Sequence, residues 1–311
     1  HHHLGGRLDA RLAQGGRGRV MINSVPVELT ERLERLAGGF QFVEGPVWQL
    51  EAARLLFNDI PADTAYAWSD ESGLTVTRHP TNKANGQVID PFGRLIVCEH
   101  RSSSLVWIGS DDERTVIASH YEGRELNSPN DVIAAPNGSL IFTDPPFGRT
   151  ESAMGELRPR ELGFCGVYEC TKSDDLRLLS TQLAEPNGLC LSLDQARLYV
   201  NDTATGRIIE FKTSWGSGGP VLDEGREFAR VPSDASGKAD GMKVDALNNV
   251  WCTGAGGIHV FDPAGHPIGM IEVPEQVGNF AWGGLDGRDL YVTASTSLYR
   301  ARTSVPGAAW V

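Results

Sequence analysis

The chain has 311 residues, 40% of them hydrophobic, with 40 acidic against 28 basic side chains and a formal charge of −12. It is long enough to bury a large core, and no run approaches the roughly 18 unbroken apolar residues of a membrane span. So acidic a chain repels nucleic acid and anionic membrane, which argues against both as partners, while a homodimer stays open.

Residues 1–20 stand apart, with three histidines followed by a Gly- and Arg-rich stretch that holds no apolar signal-peptide run. They read as an expression leader, with Met21 as the native start and 21–311 as one domain. The leader's four arginines and one aspartate make +3, which leaves −15 on the rest. Without a signal run the cytoplasm is favoured, with the periplasm open if the leader replaced a native terminus.

The segment ELTERLERLAGGF (28–40) comes next, and its apolar residues fall at helical spacing, which allows a short helix on pattern alone. Beyond it six strand-like runs recur: LLFNDI (55–60), LIVCEH (95–100), LIFTDP (140–145), LYVNDT (198–203), NVWCTG (249–254) and LYVTAS (290–295). They lie about 40 to 58 residues apart, the period of propeller blades. Turn signals such as Pro-Phe-Gly at 91–93 and Pro-Asn-Gly at 136–138 precede most of them. Inner strands such as NDVIAA stand upstream and outer strands such as SSLVWI, GVYECT, RIIEFK and GIHVFD downstream, so each blade is a four-stranded antiparallel meander. The last blade runs out after SLYRAR, and ELTERLERLAGGF can supply its fourth strand. The fold expected is therefore all-β, a six-bladed β-propeller closed by an N-terminal strand, with no exposed sheet edge.

Five cysteines are present, and Cys98, Cys190 and Cys252 lie in apolar strand runs, as small core residues in a reducing compartment do. Cys165 and Cys170 have no accompanying pair at zinc spacing.

Polar residues mark the starts of the inner strands: Glu44 in FVEGPVW, Asn85 in KANGQVI, Asn130 in SPNDVIA, Asn187 in EPNGLCL, Asp240 in KADGMKV and Asn279 in QVGNFAW. In a propeller these positions converge at one mouth of the central channel. Glu44, Asn130, Asn187 and Asp240 offer two carboxylates and two amide oxygens. That set suits one hard divalent cation with oxygens at about 2.3–2.6 Å, Ca²⁺ first and Mg²⁺, Mn²⁺ or Zn²⁺ after it. Without a metal the carboxylates repel, and one tends to hold a proton. Any single Asn-Gly or Asp-Gly reads as a turn, and Glu44-Gly45-Pro46 as a strand cap. Recurrence at one place in each blade carries the inference.

FVEGPVW, LNSPNDV followed by FTDPPFG, PNGL with YVNDT, and DGM with VWCTG together resemble the SMP-30/gluconolactonase/luciferin-regenerating-enzyme family, its bacterial gluconolactonases above all. The resemblance runs from about Gly39 to Ala301. It implies a six-bladed propeller with one bound divalent metal that hydrolyses a sugar lactone such as glucono-δ-lactone to the aldonic acid. Glu44, Asn187 and Asp240 match the family's metal ligands, and Asp240 also its general base. Asn130 matches the asparagine that stands beside the metal and contacts substrate. Animal members carry an arginine two residues before that asparagine; Ser128 stands here, so their sugar recognition does not transfer.

No G-x-S-x-G elbow supports a serine hydrolase. His100 and His259 lie near strand ends, and His100, following the strand of the Asn85 blade, is the better candidate for contact with substrate. Asn85 is placed to bond sugar hydroxyls. The insertion at 148–164 reads as an Arg- and Glu-rich lid suited to a polyhydroxylated ligand, and TSWGSGGPVLDEG (213–225) as a Gly-rich surface loop. Two other functions fit the same cage: an organophosphate or aryl-ester hydrolase of this propeller type, and a non-catalytic Ca²⁺-binding scaffold.

Overall fold

Each of the six recurrent runs becomes the second strand of an antiparallel sheet, four-stranded in five blades and five-stranded in blade 4, flanked by the inner and outer strands expected around it. The computed structural model describes residues 28–171 and 175–308; residues 1–20, read as a leader, lie outside them. Blades 1 to 5 span 43–78, 84–118, 132–180, 186–230 and 242–272, and blade 6 spans 277–303. They form a six-bladed β-propeller. Helical structure among the described residues amounts to one turn, Phe147–Thr150, and no helix there is long and apolar enough to cross a membrane.

The fourth strand of blade 6 is Leu29–Gly38, paired antiparallel with Ser297–Thr303. Leu29, Leu33, Leu36 and Ala37 are its half-buried apolar residues, and the spacing of the leucines is helical. Register shifts between Leu29 and Glu31, Glu31 and Glu34, and Arg35 and Ala37 reset the alternation of the strand. Bulges thus let these leucines face the core although they are not two apart, and the helical reading of this segment fails for that reason. The insertion from Thr213 also differs from its expectation as a loop. Strand Arg207–Gly216 runs on into it and pairs with Gly219–Leu222, and Trp215 Nε1 anchors the hairpin by donating to Gln195 O at 2.8 Å.

The core is divided into wedges between neighbouring blades rather than gathered at one centre. Phe142 stacks on Tyr168 at 5.4 Å beside the leucines and valines of blade 2, and Trp251 of blade 5 meets Trp282 of blade 6 edge-on at 4.9 Å. All five cysteines are buried and unpaired, with Cys98, Cys190 and Cys252 in strands as expected.

Near the channel mouth every junction between blades is tied by a hydrogen bond. Asn58 Nδ2 donates to Asn85 O at 2.7 Å, Gly86 N to Asn130 O at 2.9 Å, Thr143 Oγ1 to Asn187 O at 2.8 Å and Asn201 Nδ2 to Asp240 O at 2.6 Å. Gly241 N donates to Gly278 O at 2.8 Å, and Val43 N to Ser295 O at 3.0 Å completes the circle. Such close approach leaves no space for a side chain on the residue that follows. A Cβ on Gly188 would sit 2.0 Å from Asp240 O, and one on Gly45, whose φ is +62°, 2.0 Å from Asn85 O. These glycines are therefore not turn residues: Asn187-Gly188 lies inside the strand Pro186–Leu191, where the next blade's backbone excludes a Cβ.

Gly188→Ala is expected to cost about 3 kcal/mol in urea unfolding through overpacking. Gly163→Ala, where a Cβ meets nothing within 4 Å, is expected to stay within about 0.5 kcal/mol.

Candidate active site

Three blades present their polar residue by the same local device. An aspartate ending the second strand accepts the two main-chain N–H groups three and two residues before it. Asp59 binds Gln41 N at 2.9 Å and Phe42 N at 3.1 Å, ahead of Glu44. Asp144 binds Asn127 N and Ser128 N, both at 2.8 Å, ahead of Asn130. Asp202 binds Ala184 N at 3.3 Å and Glu185 N at 3.0 Å, ahead of Asn187. Blade 5 has no such carboxylate. There Thr253 Oγ1 accepts Asp240 N at 2.9 Å and donates to Lys238 O at 2.8 Å. The three aspartates stand in the recurrent runs FND, FTD and VND, a signal visible in the sequence but unreadable without the fold.

Glu44, Asn85, His100, Asn130, Asn187 and Asp240 all line one cleft of about 370 Å³ at the channel mouth. Glu44 is buried and Asp240 half-buried. Burial pushes the Glu44 carboxyl up to about 7, helped by the charge of Asp131. Asp240 is raised well above the ordinary carboxylate range by burial and by Glu44 beside it. Two acids raised together in this way are groups that a bound cation would offset.

The amide of Asn187 has a fixed orientation. Its Nδ2 donates to Thr203 Oγ1 at 3.0 Å, and that hydroxyl donates to Ala239 O at 2.7 Å. The carbonyl Oδ1 is left buried with no hydrogen-bond partner, on an amide whose NH₂ side also acts on Asp240. An orphaned amide oxygen together with two mutually repelling carboxylates is the donor chemistry a hard divalent cation satisfies, so Glu44, Asn187 and Asp240 fit one. No three His, Cys, Asp or Glu side chains gather into a metal cluster among the described residues, and this set has only two acids, its remaining donors being amides. Asn130 is buried and held through its main chain, by Thr143 O on N and by Gly86 N on O, both at 2.9 Å.

His100 is buried, with Nδ1 2.9 Å from Met154 O and Nε2 3.0 Å from Asn85 Nδ2. Burial lowers its pKa to about 4. A neutral ring with both nitrogens engaged is not placed to carry protons at neutral pH. His259 does not reach the cleft; its Nε2 faces Ala255 O at 2.8 Å. Asn279 lies deeper in the channel and donates to Asp131 Oδ2 at 3.3 Å. Asp131 is a buried neighbour of the candidate site that sequence reasoning missed. It occupies the register that glycine holds in four other blades and places a third buried carboxylate beneath Glu44 and Asp240, partly offset by Lys243.

The insertion after blade 3's second strand does cover the mouth, contributing Phe147, Glu151 and Met154 to the cleft. Its arginines face the scaffold instead of a ligand. Arg149 is buried, bonded to Leu126 O, Asn127 O and Pro159 O and paired with Glu125 at 2.7 Å; Arg158 reaches Ser103 Oγ at 2.6 Å. Ser128, where animal relatives carry arginine, is buried beneath the lid. Its Oγ donates to Pro145 O at 2.5 Å and accepts Gly148 N at 3.0 Å. The lid's first turn closes the space an arginine would need.

Fold and site together define a six-bladed propeller with an oxygen-rich, acid-lined cage under a lid at one channel mouth. The profile of the SMP-30/gluconolactonase/LRE-like region matches residues 42–296, and the chain belongs to that family. Similar proteins include the gluconolactonase of Zymomonas mobilis, 29% identical over 300 residues covering 90% of this chain and 84% of that protein. A pentonolactonase of Haloferax volcanii is 26% identical over 258 residues, 81% of each chain. Among solved structures, a gluconolactonase of Xanthomonas campestris superimposes with a TM-score of 0.81 at 30% identity, over 96% of this chain and 94% of that one.

The raised Glu44 pKa carries a sign that can be measured. An acid whose folded pKa lies above its unfolded value favours the folded state below the unfolded value, and that contribution is lost as pH rises through the folded one. With divalent ions chelated, the unfolding midpoint is expected to fall as pH rises from 5 through about 7, and to go on falling as Asp240, raised well above its ordinary range, ionises. Glu44→Gln should make that fall shallower without abolishing it, because burial also raises Asp144 to about 7.

Proposed function

We propose that the protein is a divalent-cation-dependent lactonase that opens a sugar lactone such as glucono-δ-lactone to its aldonic acid. Family membership sets the class of chemistry. The observation that carries the reading is the orphaned Asn187 Oδ1 together with two carboxylates that resist ionising together, on three residues that line one cleft. A divalent ion held by Glu44, Asn187 and Asp240, with Asn130 beside it, would offset the two acids and polarise the lactone carbonyl, Ca²⁺ being the first choice for all-oxygen donors.

Asp240 is the general base in this reading. It takes a proton from the attacking water as the water oxygen bonds to the carbonyl carbon. The ring C–O bond then breaks, and the proton passes to the departing ring oxygen, giving the hydroxy acid. A carboxylate is a weak base, which suffices for an ester as activated as a lactone. The Asn130 amide stands next to the reacting carbonyl and orients it. Phe147 and Met154 of the lid bring apolar surface over the cleft and limit access of bulk water. Its other lining is acidic, with Glu151 and Glu185 against the one amine of Lys238, and suits an uncharged polyol more than an anion.

Initial rates on glucono-δ-lactone, an aryl ester and a phosphotriester, with and without chelator, test the proposal. Turnover of the lactone is expected to be lost with chelator and restored by Ca²⁺ or a related ion. Asp240→Ala is expected to lower kcat at least on the order of a hundredfold, the scale of a general base. Chelator-resistant turnover would refute the metal requirement, and preference for the phosphotriester would favour the organophosphatase reading. Tight metal binding without turnover of any substrate would favour the scaffold.

A further inference from the structure

We infer that Asn85 positions substrate by accepting a hydrogen bond from a ligand hydroxyl at Oδ1, and that His100, tied to the lid, is the positioning residue that fixes this amide orientation. The inference rests on the lactonase reading and adds to it the kind of group the blade 2 side of the cleft recognises.

The orientation follows from a chain of donors that starts in the lid. Met154 O can only accept, so the His100 nitrogen 2.9 Å away, Nδ1, carries the proton. In the neutral ring Nε2 is then an acceptor, and the amide 3.0 Å from it must present its NH₂ group. Asn85 Oδ1 therefore turns the other way, where it is buried and has no hydrogen-bond partner. The Asn85 backbone cannot drift to find one, because Asn58 Nδ2 holds its carbonyl at 2.7 Å. Asn85 lines the cleft, so a donor for this oxygen arrives with a ligand or as water.

An acceptor of this kind cannot read the lactone carbonyl or ring oxygen, which are acceptors themselves. It reads O–H. Gly148 packs on the His100 ring, since a Cβ there would fall 2.8 Å from His100 Cβ. Lifting the lid removes the acceptor from Nδ1 and frees the amide, so the hydroxyl-reading oxygen is set only when the lid is down.

The test compares wild type, Asn85→Ala, His100→Leu, His100→Gln and the double variant Asn85→Ala/His100→Leu on glucono-δ-lactone and on δ-valerolactone, the same ring without hydroxyls. For the hydroxylated lactone Asn85→Ala is expected to raise KM on the order of tenfold to a hundredfold, the effect of a lost hydrogen bond to a buried acceptor. Its kcat should stay within about twofold, and δ-valerolactone should be handled within about threefold of wild type, since ground-state and transition-state binding are lost alike. The double variant should be no worse than Asn85→Ala, because both lesions remove one interaction. His100→Gln, with an amide oxygen to accept from Asn85, should recover most of what His100→Leu loses. Equal losses on the two lactones, or additive losses in the double variant, would overturn the inference. Calorimetry with gluconate and hexanoate separates it from the reading beneath it. A wild type that opens no lactone defeats the lactonase, while Asn85→Ala must still weaken gluconate and spare hexanoate. If the His100 variants do not fold, Asn85→Ala on the two lactones decides alone.

Discussion

Blades 1 to 4 each hold the main-chain carbonyl of the next blade's polar residue. Asn58 grips Asn85, Gly86 grips Asn130, Thr143 grips Asn187 and Asn201 grips Asp240. The bonds that join blade to blade are therefore the bonds that aim the site. A propeller blade is a rigid sheet packed through an apolar wedge, and without these ties neighbours could slide by fractions of an ångström. With them, residues more than 150 positions apart in sequence, such as Glu44 and Asp240, are held close enough to perturb each other's ionisation.

On that frame the site controls orientation as much as position. Asn187 and Asn85 are both asparagines with one end tied and Oδ1 left over, one by Thr203 and the other by His100. An untied amide can rotate by half a turn at little cost and show either a donor or an acceptor; a tied one shows only oxygen. The carboxylates supply the complementary bias. Glu44, Asp131 and Asp240 crowd acidic groups into a buried channel, offset by Lys243 near Asp131 and Lys238 at the cleft, so the site favours positive or electron-poor groups before any ligand enters.

Much of this was legible in the sequence, for physical reasons. Strands with one apolar face repeat at the blade period, and glycines follow Glu44, Asn85, Asn187 and Asp240 wherever a neighbouring backbone forbids a Cβ. What escaped depends on partners far away. Asp59, Asp144 and Asp202 look like ordinary strand-end residues until the N–H pairs they receive are seen in space. Asp131 hides behind Asn130. The leucines of 29–38 advertise a helix because bulges rewrite the strand's alternation, which no local pattern announces. The lid arginines suggested ligand contact, yet Arg149 is consumed by three carbonyls and a glutamate.

The ring is closed by a strand from one side of the chain lying on Ser297–Thr303 from the other, with Arg35 Nε bonded to Ser297 Oγ 262 residues away. Joining such distant segments carries a large loop-closure entropy, met only once the intervening blades exist. Glu44 belongs to blade 1, which meets blade 6 through Val43 N bonded to Ser295 O at 3.0 Å. Glu44 is therefore held against Asp240 from two directions, through the ties of blades 1 to 5 and across the seam, so loosening the terminal strand removes one of the two restraints on the pair.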